Sequence, residues 1–173
     1  QRAGVTAPHA QYAVGAPGGD APSAFVIPDG MSYETATFIT LATSSVIWAR
    51  STPIEPGDTV VVVGQGVVGM LYAQAVRERR PGRVIAVDAT TLRCRIAGEL
   101  GAEQVINARE TDSVQAVKDL TGGEGADVVV ECVGGTAGVK SFEQALEMTR
   151  RHGVIHLIAK YQPGPMGGYG SLP

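Results

Sequence analysis

The residues Thr59-Val60-Val61-Val62-Val63 run straight into Gly64-Gln65-Gly66-Val67-Val68-Gly69, and this junction restricts the fold more than any other stretch. An apolar β-branched run that does not alternate with polar residues predicts a strand buried on both faces, as in a parallel sheet. The G-x-G-x-x-G after it predicts a tight turn into a helix. Gly64 lets the chain leave the strand sharply, Gly66 exposes backbone that a pyrophosphate can approach, and Gly69 lets the helix pack close to the sheet. The free N–H groups and positive dipole end of that helix then face the phosphates. Val68, Tyr72 and Val76 mark its buried face, and Arg77-Glu78-Arg79-Arg80 a solvated exit.

A glycine motif by itself is weak support, but this one has company. Pro81-Gly82 stops the helix, and Arg83-Val84-Ile85-Ala86-Val87-Asp88 reads as a second buried strand ending in an acid, 19 residues after Gly69. A carboxylate there can accept both ribose hydroxyls of the adenosine half of NAD and repels the 2′-phosphate of NADP. The competing reading is a glycine-rich strand–helix turn with a chance acid. Strand, glycines, helix, strand and acid in that order favour the dinucleotide.

Length and charge narrow the classes. At 173 residues the chain holds one domain plus a remainder. A net charge of −3 and a pI near 5.6 give no electrostatic footprint for nucleic acid. Cys94 and Cys132 fall in an expected helix and strand, as reduced thiols of a cytoplasmic protein. Neither a signal-peptide core nor a long apolar span is visible, so secretion and membrane insertion are not expected. The chain begins at Gln1 rather than Met, which leaves open a processed or missing N-terminus.

Taken in order, His9–Val14 and Phe25–Ile27 suggest short strands around a Gly/Pro/Ala-rich loop, closed by the turn Pro28-Asp29-Gly30. Ser32 is the expected N-cap of a helical segment near Tyr33–Phe38, and a second segment runs near Thr43–Arg50. From there strands at about 59–64, 83–88, 104–107, 126–132 and 153–159 alternate with helices at about 67–79, 90–100, 112–121 and 138–150. That alternation predicts an α/β fold, a parallel, doubly wound, Rossmann-like sheet with five of its usual six strands visible. The tail from Tyr161 to Pro173 is rich in Gly and Pro.

Longer stretches resemble the medium-chain alcohol dehydrogenases. They are Pro28-Asp29-Gly30-Met31-Ser32, Glu55-Pro56-Gly57-Asp58 leading into the glycine motif, Gly101-Ala102-Glu103-Gln104-Val105-Ile106-Asn107, Thr121–Val129, and Glu131-Cys132-Val133-Gly134. The resemblance implies an NAD(H)-dependent oxidoreductase that moves hydride between an alcohol and a carbonyl. It implies that residues 1–35 are the remnant of a catalytic, GroES-like domain and residues 36–173 a C-terminally incomplete dinucleotide-binding domain. For the parent protein it implies a homo-oligomer acting on a small alcohol or carbonyl, with neither nucleic acid nor membrane as a partner. Carried over by position, Gly64, Gly66 and Gly69 match the phosphate loop, with Val67 and Val68 supplying helix-terminal amides. Asp88 matches the ribose acid and Arg93 a basic position near that ribose. Val133 and Gly134 match the turn after the fourth sheet strand. Ile158 and Ala159 match the end of the fifth, near the nicotinamide, and Thr43 matches a threonine beneath that ring.

One departure bears on chemistry. The family's third catalytic zinc ligand stands just before the helix containing Thr43, where this chain has Ile39 and Thr40. Ile39 cannot bind zinc and Thr40 is a poor ligand, so these residues do not support a catalytic zinc. No residue is assigned as catalytic or metal-binding. His9, His152 and His156 have no partner at zinc spacing and read as structural. Cys132 reads as a buried thiol, Glu131 as a cap on its strand end, Trp48 as core, and Ser44 and Ser45 as caps at a helix start. The main alternative is a non-catalytic dinucleotide-binding module or an inactive fragment. A short-chain reductase is disfavoured because no tyrosine has a lysine four residues on. In a methyltransferase, glycine usually replaces Val68.

Overall fold

The structure, a computed structural model, describes residues 3–5 and 24–160. The expected strand at His9–Val14 and the tail from Tyr161 lie outside them. The chain divides into two compact units, Gln1–Thr40 and Leu41–Pro173.

In the first unit, β1 (Ala3–Val5) pairs antiparallel with β2 (Ala24–Val26), so that Ala3 faces Val26. Pro28 to Met31 then turns the chain, with Gly30 at φ +87° and the Met31 N–H on the Pro28 carbonyl at 3.2 Å. Ser32 caps α1 (Tyr33–Ala36) as expected, its hydroxyl accepting the Thr35 N–H at 3.1 Å.

Helix α2 (Ile39–Ser51) starts four residues before the Thr43 read from sequence. Ser45 is therefore mid-helix and fully buried rather than a cap, and its hydroxyl has no hydrogen-bond partner. Hydroxyl-rich stretches favour caps locally, but burial of the Ala49 face continued the helix through this one.

The second unit is a five-stranded parallel sheet of β3 (Thr59–Val63), β4 (Arg83–Asp88), β5 (Gln104–Asn107), β6 (Ala126–Glu131) and β7 (Thr149–Leu157). Their order is β5-β4-β3-β6-β7. The chain steps outward one way from β3, then restarts beside β3 and steps outward the other way. Between β3 and β6 the carboxyl ends therefore open into the crevice where such folds take ligands. Period-two geometry splits the valines of β3 between two cores. Val61 and Val63 join Ile85, Val87, Val117 and Met148, while Val60 and Val62 join Ala49, Tyr72, Val76 and Val130. Each buried valine contributes roughly 1.5–3 kcal/mol, which is why this strand occupies the centre.

Helices α3 (Val67–Ala75), α4 (Thr91–Glu99), α5 (Ser113–Leu120) and α6 (Gly138–Met148) connect the strands. Two ends differ from expectation. The helix expected to reach residue 79 tightens to a 3₁₀ turn over Val76–Arg79 and ends on Arg80, which is left-handed at φ 56°. Pro81 disfavours the right-handed helical region for the residue before it. The helix expected to reach residue 150 ends at Met148, and β7 begins at once. Arg150 is drawn into β7 by its Nε donating to Asp127 Oδ1 at 2.6 Å. The register of β7 on β6 then breaks, with His152 at φ 59°.

Candidate coenzyme site

The site lies where β3, β4, β6 and β7 end. Gly64 leaves β3 at φ +90° and donates its N–H to Val87 O on β4 at 2.7 Å. A side chain there would be strained, and its Cβ would sit 2.7 Å from Val133 Cγ2. Gly69, in the first turn of α3, lies so near the Gly64 carbonyl that a Cβ would overlap that oxygen. Gly66 is the N-cap of α3, with no side-chain cap bond, and a Cβ there would meet nothing within 4 Å. Two glycines thus shape the bend, and the third leaves open space before uncapped helix amides. An anion can be held by such free helix amides, so the residues present fit the diphosphate of a dinucleotide. Val67 and Val68 open the helix as expected.

Asp88 ends β4 with its side chain only 6% exposed. Oδ2 accepts the Gln65 N–H and Oδ1 the Thr90 N–H, both at 2.7 Å. Arg93, about half exposed, stands 3.8 Å from Oδ2. The carboxylate is therefore held by both loops that flank it, with lone pairs left over for further donors.

On the β6 side, Cys132 donates its N–H to Val63 O at 2.8 Å. Glu131 is fully buried, and its Oε1 accepts the Val133 N–H and the Ser141 hydroxyl, each at 2.8 Å. It fixes the turn and ties α6 to the strand end, the structural role expected of it. Ile158 and Ala159 fall just past β7, where their N–H groups share the Glu131 carbonyl at 3.0 and 3.1 Å. Gly134 passes close to the Lys160 carbonyl, 3.3 Å from where its Cβ would be. Val133, Gly134, Ile158 and Ala159 are thus neighbours across adjacent strand ends, and Val133 also reaches the glycine bend. Thr43 is exposed on α2, and no hydrogen bond among the described residues joins it to that loop.

Burial pushes the Cys132 thiol up to about 12, helped by the charge of Glu131, and burial with Asp88 nearby raises Cys94. Neither is a thiolate at neutral pH. Ile39 and Thr40 open α2. Among the described residues no three His, Cys, Asp or Glu side chains gather as a metal site would require. Two participants escaped the sequence reading. Gln65 was only a spacer in the motif, although a polar residue in an apolar loop was a signal. Thr90 takes the N–H position of an Asx turn two residues after Asp88, a recognisable local pattern.

Residues 67–168 match the family model described as Zinc-binding dehydrogenase. Sorbitol dehydrogenase of Bacillus subtilis is 34% identical over 134 residues, which are 78% of this chain and 37% of that protein. An NADP-dependent isopropanol dehydrogenase of Clostridium beijerinckii is 31% identical over 140 residues, 80% of this chain and 39% of that one. The solved alcohol dehydrogenase of Thermus sp. ATN1 superposes with a TM-score of 0.67 at 30% identity, covering 82% of this chain and 41% of that one. The chain spans less than two fifths of the length of these two curated relatives. Glycine bend, strand order and family match together establish that this chain belongs to the zinc-binding dehydrogenases, the medium-chain alcohol dehydrogenase family, and represents their coenzyme-binding part.

Proposed function

We propose that this chain binds NAD(H) across the ends of β3, β4 and β6, and that its parent protein transfers hydride between an alcohol and a carbonyl. The observation that carries the reading is the open, uncapped start of α3 at Gly66 beside the buried carboxylate of Asp88. When bound, the nicotinamide supplies the hydride chemistry. The chain's own part is to bind and orient. Val67 and Val68 amides and the α3 dipole hold the diphosphate, and Asp88 with Arg93 reads the adenosine ribose. Val133, Gly134, Ile158 and Ala159 form the wall on the nicotinamide side, with Thr43 beneath the ring.

Coenzyme choice does not follow from family alone, since one relative is named for NADP. Asp88 favours NAD, because a 2′-phosphate would be set against a buried carboxylate. Residues 39 and 40 offer zinc no Cys, His or carboxylate, so polarisation of the substrate oxygen falls to groups beyond those named above. Residues 1–35 are read as a remnant of the catalytic domain, and the chain alone binds coenzyme without turning over alcohol.

Calorimetric titration with NADH and NADPH tests this reading. NADH should bind at least tenfold more tightly, and equal or tighter NADPH binding contradicts the role given to Asp88.

A further inference from the structure

Asp88 is more deeply engaged than a ribose ligand needs to be. Of its carboxylate's contacts, two are charge-assisted bonds from backbone N–H groups. Gln65 belongs to the glycine bend and Thr90 to the turn into α4. Arg93 at 3.8 Å is the third neighbour. Gln65 is gripped a second time, because its Nε2 donates to Val62 O at 2.8 Å while its Oε1 is buried without a partner. Gln65 is only 1% exposed and carries an unsatisfied oxygen, a local cost that its place in the glycine bend offsets.

We propose that Asp88 and Gln65 form a clasp that sets the glycine bend before coenzyme arrives. Asp88 then acts on diphosphate affinity as a positioning residue, through the backbone, besides reading the ribose. The two roles predict opposite signs. By charge alone Asp88 repels a diphosphate, so neutralising it should tighten binding of any diphosphate that lacks ribose hydroxyls. Through the clasp, neutralising it frees one loop amide from its partner and loosens the bend. Binding then weakens even where no ribose hydroxyl is present.

The inference rests on the coenzyme-site reading above, and the test separates the two. ADP and 2′,3′-dideoxy-ADP are titrated into the full chain and into Asp88→Asn, which keeps the side chain's size. Amide hydrogen exchange is followed in both. The clasp predicts that D88N weakens dideoxy-ADP by about tenfold. It also predicts that the amide left without an acceptor, Gln65 or Thr90, loses exchange protection, because asparagine keeps a single acceptor oxygen, while Val61 and Val129 in the sheet keep theirs. Dideoxy-ADP binding D88N as well as the wild type, or better, overturns the clasp alone. Failure of the wild type to bind ADP overturns the coenzyme site and the clasp with it. Should D88N not fold, wild-type exchange decides. Protection of Gln65 and Thr90 comparable to sheet amides supports the clasp, and exchange at open-loop rates overturns it.

Discussion

Gly66 and Gly69 stand three residues apart in one motif, yet they do separate work. A methyl group at Gly69 would collide with the Gly64 carbonyl, whereas one at Gly66 would enter open space. Gly69→Ala should therefore destabilise the fold by about 1–3 kcal/mol in urea unfolding. Gly66→Ala should leave the unfolding midpoint nearly unchanged and weaken NADH binding several-fold, because its Cβ would enter the open space proposed for the diphosphate. The motif made both glycines legible in the sequence but could not distinguish these roles, since the distinction is which atom each hydrogen faces. Asp88 was legible as an acid at a strand end. Its engagement by Gln65 was not, because a spacing does not tell where a carboxylate points.

Between elements, the least legible feature is the junction of α2, α3 and β7. The Thr52 hydroxyl lies 2.7 Å from Trp48 O, 2.7 Å from the Tyr72 hydroxyl and 2.5 Å from His156 Nδ1. It has one proton, so all three bonds form only if Thr52 donates to Trp48 O while Tyr72 and His156 donate to Thr52. The partners are 20 and 104 residues away, separations over which periodicity carries no information. Periodicity did fix the strands and most helices, and it failed at residues 149–152, where the Arg150–Asp127 pair makes strand of an expected helix end. Replacing Thr52 with Val keeps the shape but leaves the buried Tyr72 hydroxyl unpaired, and should cost about 1–3 kcal/mol by urea unfolding. Burial holds the His156 imidazole below its ordinary value of 6.5. The unfolded chain therefore takes up this proton first as pH falls. The stability tied to a neutral His156 is fully present above 6.5 and is lost below it, down to the folded-state value. Thermal unfolding from pH 7.5 to 5 should show this decline, and His156→Gln should flatten it.

For the whole molecule, the order β5-β4-β3-β6-β7 places every proposed contact except Thr43 at the ends of sheet strands, in the turns after them or in the first turn of the helix that follows. The alternation of strands and helices made a parallel, doubly wound sheet expected, and the structure supplies the order of its strands. The substrate walls were not legible, because the chain spans less than two fifths of those curated relatives' length. As proposed, the chain binds coenzyme and should show no alcohol turnover, checked by following NADH formation with a panel of alcohols. In the proposed complex the dinucleotide lies across the start of α3 with its adenosine ribose at Asp88. A crystal structure of the chain with NADH decides this. Diphosphate oxygens are expected within hydrogen-bond reach of the Val67 and Val68 amides, and ribose hydroxyls on the Asp88 carboxylate. Coenzyme seated anywhere else on the chain overturns the proposal.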